Sequence, residues 1–357
     1  MYFAAMRWLL APFSFLYGLI IRARHLAYDL GALKSHKPEI PAIVIGNLSA
    51  GGTGKTPHTL MVAELLADNW KIAVLSRGYG RTGKEYHEVT LSDDVSISGD
   101  EPLAIKRSLP AVTVAVCADR LEGIRRLQEE TADLEIILLD DAFQHRRLNP
   151  GFSILLIDFA SFNSSRLLLP AGYQRDVWER RKKADIIVIS KSPETVNHQQ
   201  KERIIRKLRP VSTQSVFFSS IRYLSVSSFE GKEVPAKEAL HRKKIILVTG
   251  IADTTEILKY LNDREAEIKH VKFPDHYKYS KTDITAINQA FGKIPSSETL
   301  ILTTSKDKVK LFPLLLPVNY KNWFVLNIGI RIDEPEQFEE IITTYVGTAT
   351  RNSTVHS

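Results

Sequence analysis

The sequence predicts an α/β protein: a mostly parallel sheet with helices on both faces, plus a smaller C-terminal α/β domain. Three observations predict it. Short runs of Val, Ile and Leu alternate with helical patterns from residue 42 onward, and strands that are apolar throughout belong in sheets covered on both sides. The first run, 42–45, opens into a glycine-rich loop closing on Gly54-Lys55-Thr56 before a helical pattern, which makes the sheet P-loop NTPase-like. After a Ser-rich, β-prone stretch at 212–223 the alternation begins again.

The N-terminal segment is apolar over 8–21, with Arg7 before it and Arg22 and Arg24 after it. A membrane-spanning helix needs about 20 apolar residues; this run is shorter and holds Pro12 and Gly18. The sequence Arg22-Ala23-Arg24-His25 is also a poor cleavage site for a signal peptide. Two readings remain. In one, Trp8, Phe13, Phe15 and Tyr17 dip into an anionic membrane while the arginines meet head groups. In the other, the segment is a buried helix.

The loop Ser49, Ala50, Gly51, Gly52, Thr53, Gly54, Lys55, Thr56 matches G-x-x-x-x-G-K-[ST] at its end and departs at its first position, which is Ser49. Glycines let backbone N–H groups turn inward onto phosphate oxygens, and the following helix adds its positive end. Lys55 then reaches the β- and γ-phosphates and the Thr56 hydroxyl suits Mg²⁺. Pro57, read as the first helical residue, removes no needed hydrogen bond.

Further strands are expected at 72–75, 112–116, 136–139, 154–157 and 186–189, with helices at 59–67 and 121–130. In such sheets ligands bind beyond the carboxyl ends of strands. The residues there are Ser76-Arg77-Gly78-Tyr79-Gly80-Arg81, Ala118-Asp119-Arg120, Asp140 to Arg146, Asp158 and Ser190-Lys191. Asp140-Asp141 after an apolar strand is the arrangement that holds or orients Mg²⁺, or else a solvated turn. Asp100, in Ser98-Gly99-Asp100-Glu101-Pro102, reads equally as a helix cap, a base or a metal-side carboxylate. The basic run 175–183 reads as a solvated helix face with an additional role in holding phosphates.

The second unit has strands expected at 244–249, 268–273, 300–303 and 323–328, with helices at 254–261 and 335–345. In it, Phe273-Pro274-Asp275-His276-Tyr277-Lys278-Tyr279 concentrates polar aromatic residues in a loop, though a lone histidine is more often structural. Ser305-Lys306-Asp307-Lys308 is expected to be similarly exposed. The organisation is therefore 1–36 membrane-associated, 37–215 the P-loop domain, 216–348 the smaller domain and 349–357 a disordered tail. One cysteine, Cys117, excludes an internal disulfide framework and suits packing in a reducing compartment. The net charge of +7 suggests an anionic partner: nucleic acid, a nucleotide or an anionic membrane.

Taken together, the loop, Ser76 to Arg81, Gly99-Asp100-Glu101-Pro102, Asp140-Asp141-x-Phe143-Gln144-His145, Leu169-Pro170-Ala171-Gly172 and Phe273-x-Asp275-His276-x-x-Tyr279 resemble the tetraacyldisaccharide 4'-kinases, the lipid A 4'-kinases of Gram-negative bacteria, over nearly the whole chain. Two departures are visible: Ala142 stands where the family usually has Gly, and Tyr173-Gln174-Arg175-Asp176 replaces Pro-Leu-Arg-Glu. The resemblance implies transfer of the γ-phosphoryl group of ATP, with Mg²⁺, to the 4'-hydroxyl of a tetraacylated glucosamine disaccharide 1-phosphate, giving lipid IVA. It implies that Lys55 and Thr56 serve ATP and Mg²⁺, and that Asp100 is the base, paired with His276 by domain closure and made more basic by it. Asp140, Asp141, Glu101, Gln144 and His145 become candidates for metal or phosphate contact, and Arg120 and Arg175 for the transferring phosphoryl. It further implies the cytoplasmic face of the bacterial inner membrane, in a peripheral or monotopic mode, with an anionic membrane surface, no nucleic acid and no obligate protein partner.

The rivals are a P-loop GTPase or metal-chaperone NTPase at the membrane, and a non-catalytic nucleotide sensor. Ser190-Lys191-Ser192-Pro193 lacks the Asn and Asp of a guanine-selecting Asn-Lys-x-Asp, and a sensor has no need of a base such as Asp100.

Overall fold

The structure, a computed structural model, describes residues 2–292 and 299–354. Helix α1 (Tyr2–Asp29) precedes β1 (Ala42–Asn47), α2 (Lys55–Ala67), β2 (Ile72–Ser76), β3 (His87–Glu88), α3 (Val95–Ser98), α4 (Asp100–Ser108), β4 (Thr113–Val116), α5 (Arg120–Glu130), β5 (Ile136–Asp140), β6 (Gly151–Asp158), β7 (Ile186–Ser190) and α6 (His198–Leu208). The chain continues through β8 (Ser215–Ser228), β9 (Glu233–Pro235), α7 (Ala236–Leu240), β10 (Lys244–Thr249), α8 (Thr255–Asn262), β11 (Glu267–Lys272), α9 (Lys281–Gly292), β12 (Thr299–Thr304), α10 (Ser305–Leu311), β13 (Trp323–Ile332) and α11 (Pro335–Thr354).

The strands form one sheet in the order β11-β10-β12-β13-β8-β7-β6-β1-β5-β2-β4-β3, with β9 on β8. Strand β1 lies between β5 and β6, parallel to both, with Ile45 opposite Asp140. That register sets the P-loop beside Asp140 and Asp141. The strands read as apolar throughout because each face has its own core. Ile43 and Ile45 pack on one side with Val62 and Leu66 of α2, and Ala42 and Val44 on the other with Ile137 and Leu139. This follows from the two-residue period of a strand.

The two units are not separated at residue 215. Strand β8 pairs parallel with β7 over its first residues, Ser215 to Phe218, and antiparallel with β13 from Ser219 to Ser228. The Ser-rich, β-prone stretch is a strand that is buried continuously from Phe217 to Ser220. The last helix also returns to the first unit. Phe338, Ile342 and Val346 of α11 join the core of Ile43 and Leu138, and the Tyr345 hydroxyl donates to the carbonyls of Ala42 and Pro150 at 3.3 Å each. Helix α11 continues to Thr354, past residue 349 where a tail was expected; residues 355–357 lie outside the described residues.

Candidate active site

The P-loop is shaped by its own glycine and braced by a distant segment. Gly54, the N-cap of α2, sits at φ 85, a left-handed conformation that favours glycine. No side chain caps α2, so its first N–H groups stay available to an anion. The helix begins at Lys55, so Pro57 is its third residue, still inside the turn that needs no donor. Asn47 donates to Thr53 Oγ1 at 2.8 Å, the Ala50 N–H donates to Tyr173 O at 2.7 Å, and Ser49 bridges to Gln174. Behind the loop, buried His58 meets Gly54 O through Nδ1 at 2.7 Å and Ser219 Oγ through Nε2 at 2.9 Å. Burial lowers its pKa to about 4, against the raising effect of the Gly54 bond, so the ring is neutral.

At the end of β5 the two aspartates differ. Asp140 is buried; its Oδ1 accepts from Thr59 Oγ1 at 3.1 Å and its Oδ2 has no partner. Burial, with the charges of Glu101 and Asp141, raises its pKa to about 7. Burial acts the same way on Asp141, but there the Arg175 hydrogen bonds and the charges of Lys55, Arg175 and Arg120 outweigh it and lower the pKa. Arg175 donates to both Asp141 oxygens, at 2.8 and 3.1 Å, and to Asn47 Oδ1. Lys55 Nζ lies 3.7 Å from Asp141. Arg120 is buried and donates to Cys117 O at 2.7 Å. Burial lowers its pKa to about 10, against the pull of Asp140 and Asp141.

Asp100 opens α4 behind Gly99, whose φ of 86 again favours glycine. His276, from the loop after β11, already meets Asp100: Nδ1 to Oδ2 is 2.9 Å. On the ring's far side Lys306 Nζ donates to His276 Nε2 at 3.2 Å. An ammonium has no acceptor, so Nε2 is the accepting nitrogen and Nδ1 carries the proton given to Asp100. Lys306 also reaches Glu101 at 3.2 Å and Asp275 at 3.3 Å. Tyr79 packs on His276, with ring centroids 4.8 Å apart. Burial raises the Asp100 pKa, but the His276 hydrogen bond and the charges of Lys306, His276 and Lys310 together lower it below its ordinary value. That is the reverse of the expected gain in basicity, because the His276 hydrogen bond itself favours the carboxylate and the two lysines add to it.

Gln144 and His145 line the same opening as Asp141. The Gln144 amide donates to Asn47 O. His145 Nε2 is buried and unpartnered, and burial, with the positive charges of Arg120, Arg147 and Arg24, opposes its protonation. Cationic surroundings suit an anionic group better than a metal. Among the described residues no three His, Cys, Asp or Glu side chains gather as a metal cage. Mg²⁺ needs none, since it uses one or two carboxylates with phosphates and water.

The basic run splits. Arg175 faces the site, while Arg181 is buried and bonds Leu208 O at 3.0 Å. Asp176 is buried too, with His25 Nε2 at 2.6 Å from its Oδ1. Ser14 Oγ donates to Leu168 O at 2.9 Å and accepts from Ala171 N at 2.8 Å, and the Tyr17 hydroxyl donates to Arg175 O at 3.0 Å. Neither the apolar run of α1 nor its flanking arginines signals these polar contacts. On the other side Leu9, Phe13 and Ile20 are 75%, 62% and 59% exposed. The side chains of Arg7 and Trp8 lie outside the described residues. No helix among the described residues is long and apolar enough to cross a membrane.

An open cleft of about 1950 Å³ connects these parts. The P-loop, Arg77, Glu101, Arg120, Asp141, Arg175, His276 and Lys306 line it, and Tyr17, Ile20 and Arg24 of α1 extend it to the apolar face. It can therefore hold a nucleotide, a polar acceptor and an apolar chain together.

The family profile described as Tetraacyldisaccharide-1-P 4'-kinase (LpxK) matches residues 6–347. The chain is 38% identical to a Tetraacyldisaccharide 4'-kinase of Bacteroides thetaiotaomicron, covering 97% of this chain and 95% of that protein. It is 35% identical to one of Phocaeicola vulgatus, covering 97% of both. Among solved structures it resembles LpxK from Aquifex aeolicus in complex with ATP, with TM-score 0.76 and 30% identity over 96% of this chain and 99% of that one. With nearly full length matched on both sides, the chain belongs to the tetraacyldisaccharide-1-P 4'-kinase family.

Proposed function

We propose that this protein transfers the γ-phosphoryl group of ATP to the 4'-hydroxyl of a tetraacylated glucosamine disaccharide 1-phosphate, forming lipid IVA, at the cytoplasmic face of the bacterial inner membrane. One observation carries the reading: the P-loop and His276, which is hydrogen-bonded to the buried Asp100, line one cleft whose rim is the exposed apolar face of α1.

As the sugar oxygen bonds to the γ-phosphorus, the bond from phosphorus to the β,γ-bridging oxygen breaks and ADP leaves. The hydroxyl proton passes to Asp100, which His276 orients. Lys55, Arg120 and Arg175 meet charge on the transferring group. Mg²⁺ suits the unpartnered Asp140 oxygen and its raised pKa, which a nearby cation would relieve; Asp140, Asp141 and Thr56 would hold it, with Glu101 beside them. When bound it supplies charge neutralisation on the β- and γ-phosphates. Gln144 and His145 are assigned to phosphate. The guanine-nucleotide alternative loses support at Lys191, which lies 3.8 Å from Asp158 and 3.5 Å from Asp253 and so ties the two units together.

Purified protein, tetraacyldisaccharide 1-phosphate in mixed micelles and γ-labelled ATP test this. Label appearing on the lipid supports the reading; ATP hydrolysis with unlabelled lipid rejects it.

A further inference from the structure

The segment Ser305-Lys306-Asp307-Lys308 is not the exposed loop its composition suggests. It opens α10, which lies against α4, and Asp307 is fully buried. Asp307 accepts from the Gly250 N–H at 2.9 Å, Thr304 Oγ1 at 2.9 Å and the Tyr279 hydroxyl at 3.1 Å. It is thereby fixed to the ends of β10 and β12 and to the loop that carries His276. Burial and the Asp307 charge push the Tyr279 phenol up, so Tyr279 remains a donor.

One turn on, the Lys310 side chain is 6% exposed; its buried Nζ makes no hydrogen bond among the described residues and is held by ion pairs, 3.0 Å from Asp307 Oδ1 and 3.7 Å from Asp100 Oδ2. A buried ammonium is costly unless it is paired; here a carboxylate from each unit pairs with it. The contacts on Asp100 are also one-sided. His276 Nδ1, Lys310 Nζ and Lys306 Nζ all address Oδ2, at 2.9, 3.7 and 3.9 Å. Among the described residues, Oδ1 receives only the neighbouring Glu101 N–H, at 3.0 Å.

We infer that Lys310 is a positioning residue for phosphoryl transfer: anchored by Asp307, it fixes Asp100 Oδ2 from across the unit boundary so that Oδ1 is the oxygen that takes the hydroxyl proton. Lys310 does not touch the substrate; it acts through Asp100. The inference rests on Asp100 being the base.

The test is a double-mutant cycle on the full-length enzyme with the lipid substrate. Lys310→Met keeps the volume and removes the charge. We expect kcat to fall about 10- to 100-fold with KM for ATP within about twofold of the parent, because only the acceptor-side carboxylate is released. In an Asp100→Asn background the same change is expected to alter kcat by less than about twofold. If Lys310→Met does not show a cooperative melt, Lys310→Gln, which keeps a donor without charge, replaces it in the cycle. An undiminished Lys310 effect in the Asp100→Asn background, or near-parental kcat in the single variant, overturns the inference. Parental turnover of Asp100→Asn itself overturns the assignment of the base instead, so the two failures are told apart.

Discussion

At the scale of residues, Lys55 and Thr56 line the cleft and Lys55 faces Asp141 at 3.7 Å, so their loss should affect chemistry and not folding. Lys55→Ala and Thr56→Ala are each expected to lower kcat by roughly 10²-fold or more while melting near the parent without nucleotide. Near-parental turnover in Lys55→Ala would remove the loop from the mechanism. Asp100 and His276 are bonded, so Asp100→Ala with His276→Ala should be about as slow as the worse single variant; fully additive losses in activation free energy would dissolve the pair. His58 gives a pH dependence. Its folded pKa is about 4, below the ordinary 6.5, so the unfolded chain binds more protons between those values. Stability from this group is therefore present above pH 6.5 and lost as pH falls toward 4. Melting temperatures between pH 7 and pH 4.5 should fall less steeply in His58→Gln than in the parent; equal slopes would show that His58 is not the titrating group.

At the scale of elements, helix α1 presents polar residues to the 168–176 segment and apolar ones outward. Ser14, Tyr17 and His25 make the inner contacts. Phe13→Ser with Ile20→Ser should weaken flotation with anionic liposomes severalfold while leaving ATP binding unchanged; unchanged flotation would end the membrane role of that face. The same helix shows what a sequence can carry. Its apolar length, interrupted by Pro12, was legible because hydropathy is local. The pairing of His25 with Asp176 was not, because it joins positions 151 residues apart. The P-loop, Asp140-Asp141 and the strand cores were readable for the same local reason, since period and loop chemistry sit within a few residues. Asp307 was misread because composition registers charge, whereas burial depends on the partners brought by β10, β12 and Tyr279. The Ser-rich start of β8 read as β-prone from its residues, but that it joins the two units follows only from its pairing with β7 and β13.

At the scale of the whole molecule, one sheet runs through both units and α11 closes the first unit's core after the second is complete. Phe338, in an edge-on contact with Phe217 at 5.3 Å, belongs to that closure. Phe338→Ala should cost about 3–5 kcal/mol and lower nucleotide-free stability, although the position touches no ligand; a change below about 1 kcal/mol would mean α11 is dispensable to the core. The return of α11 also orders events during synthesis. The core seeded by β1 lacks Phe338, Ile342 and Val346 until α11 has been made. Until then one face of the nucleotide-binding unit's core stays open, so that unit can reach its final packing only after the second has been made.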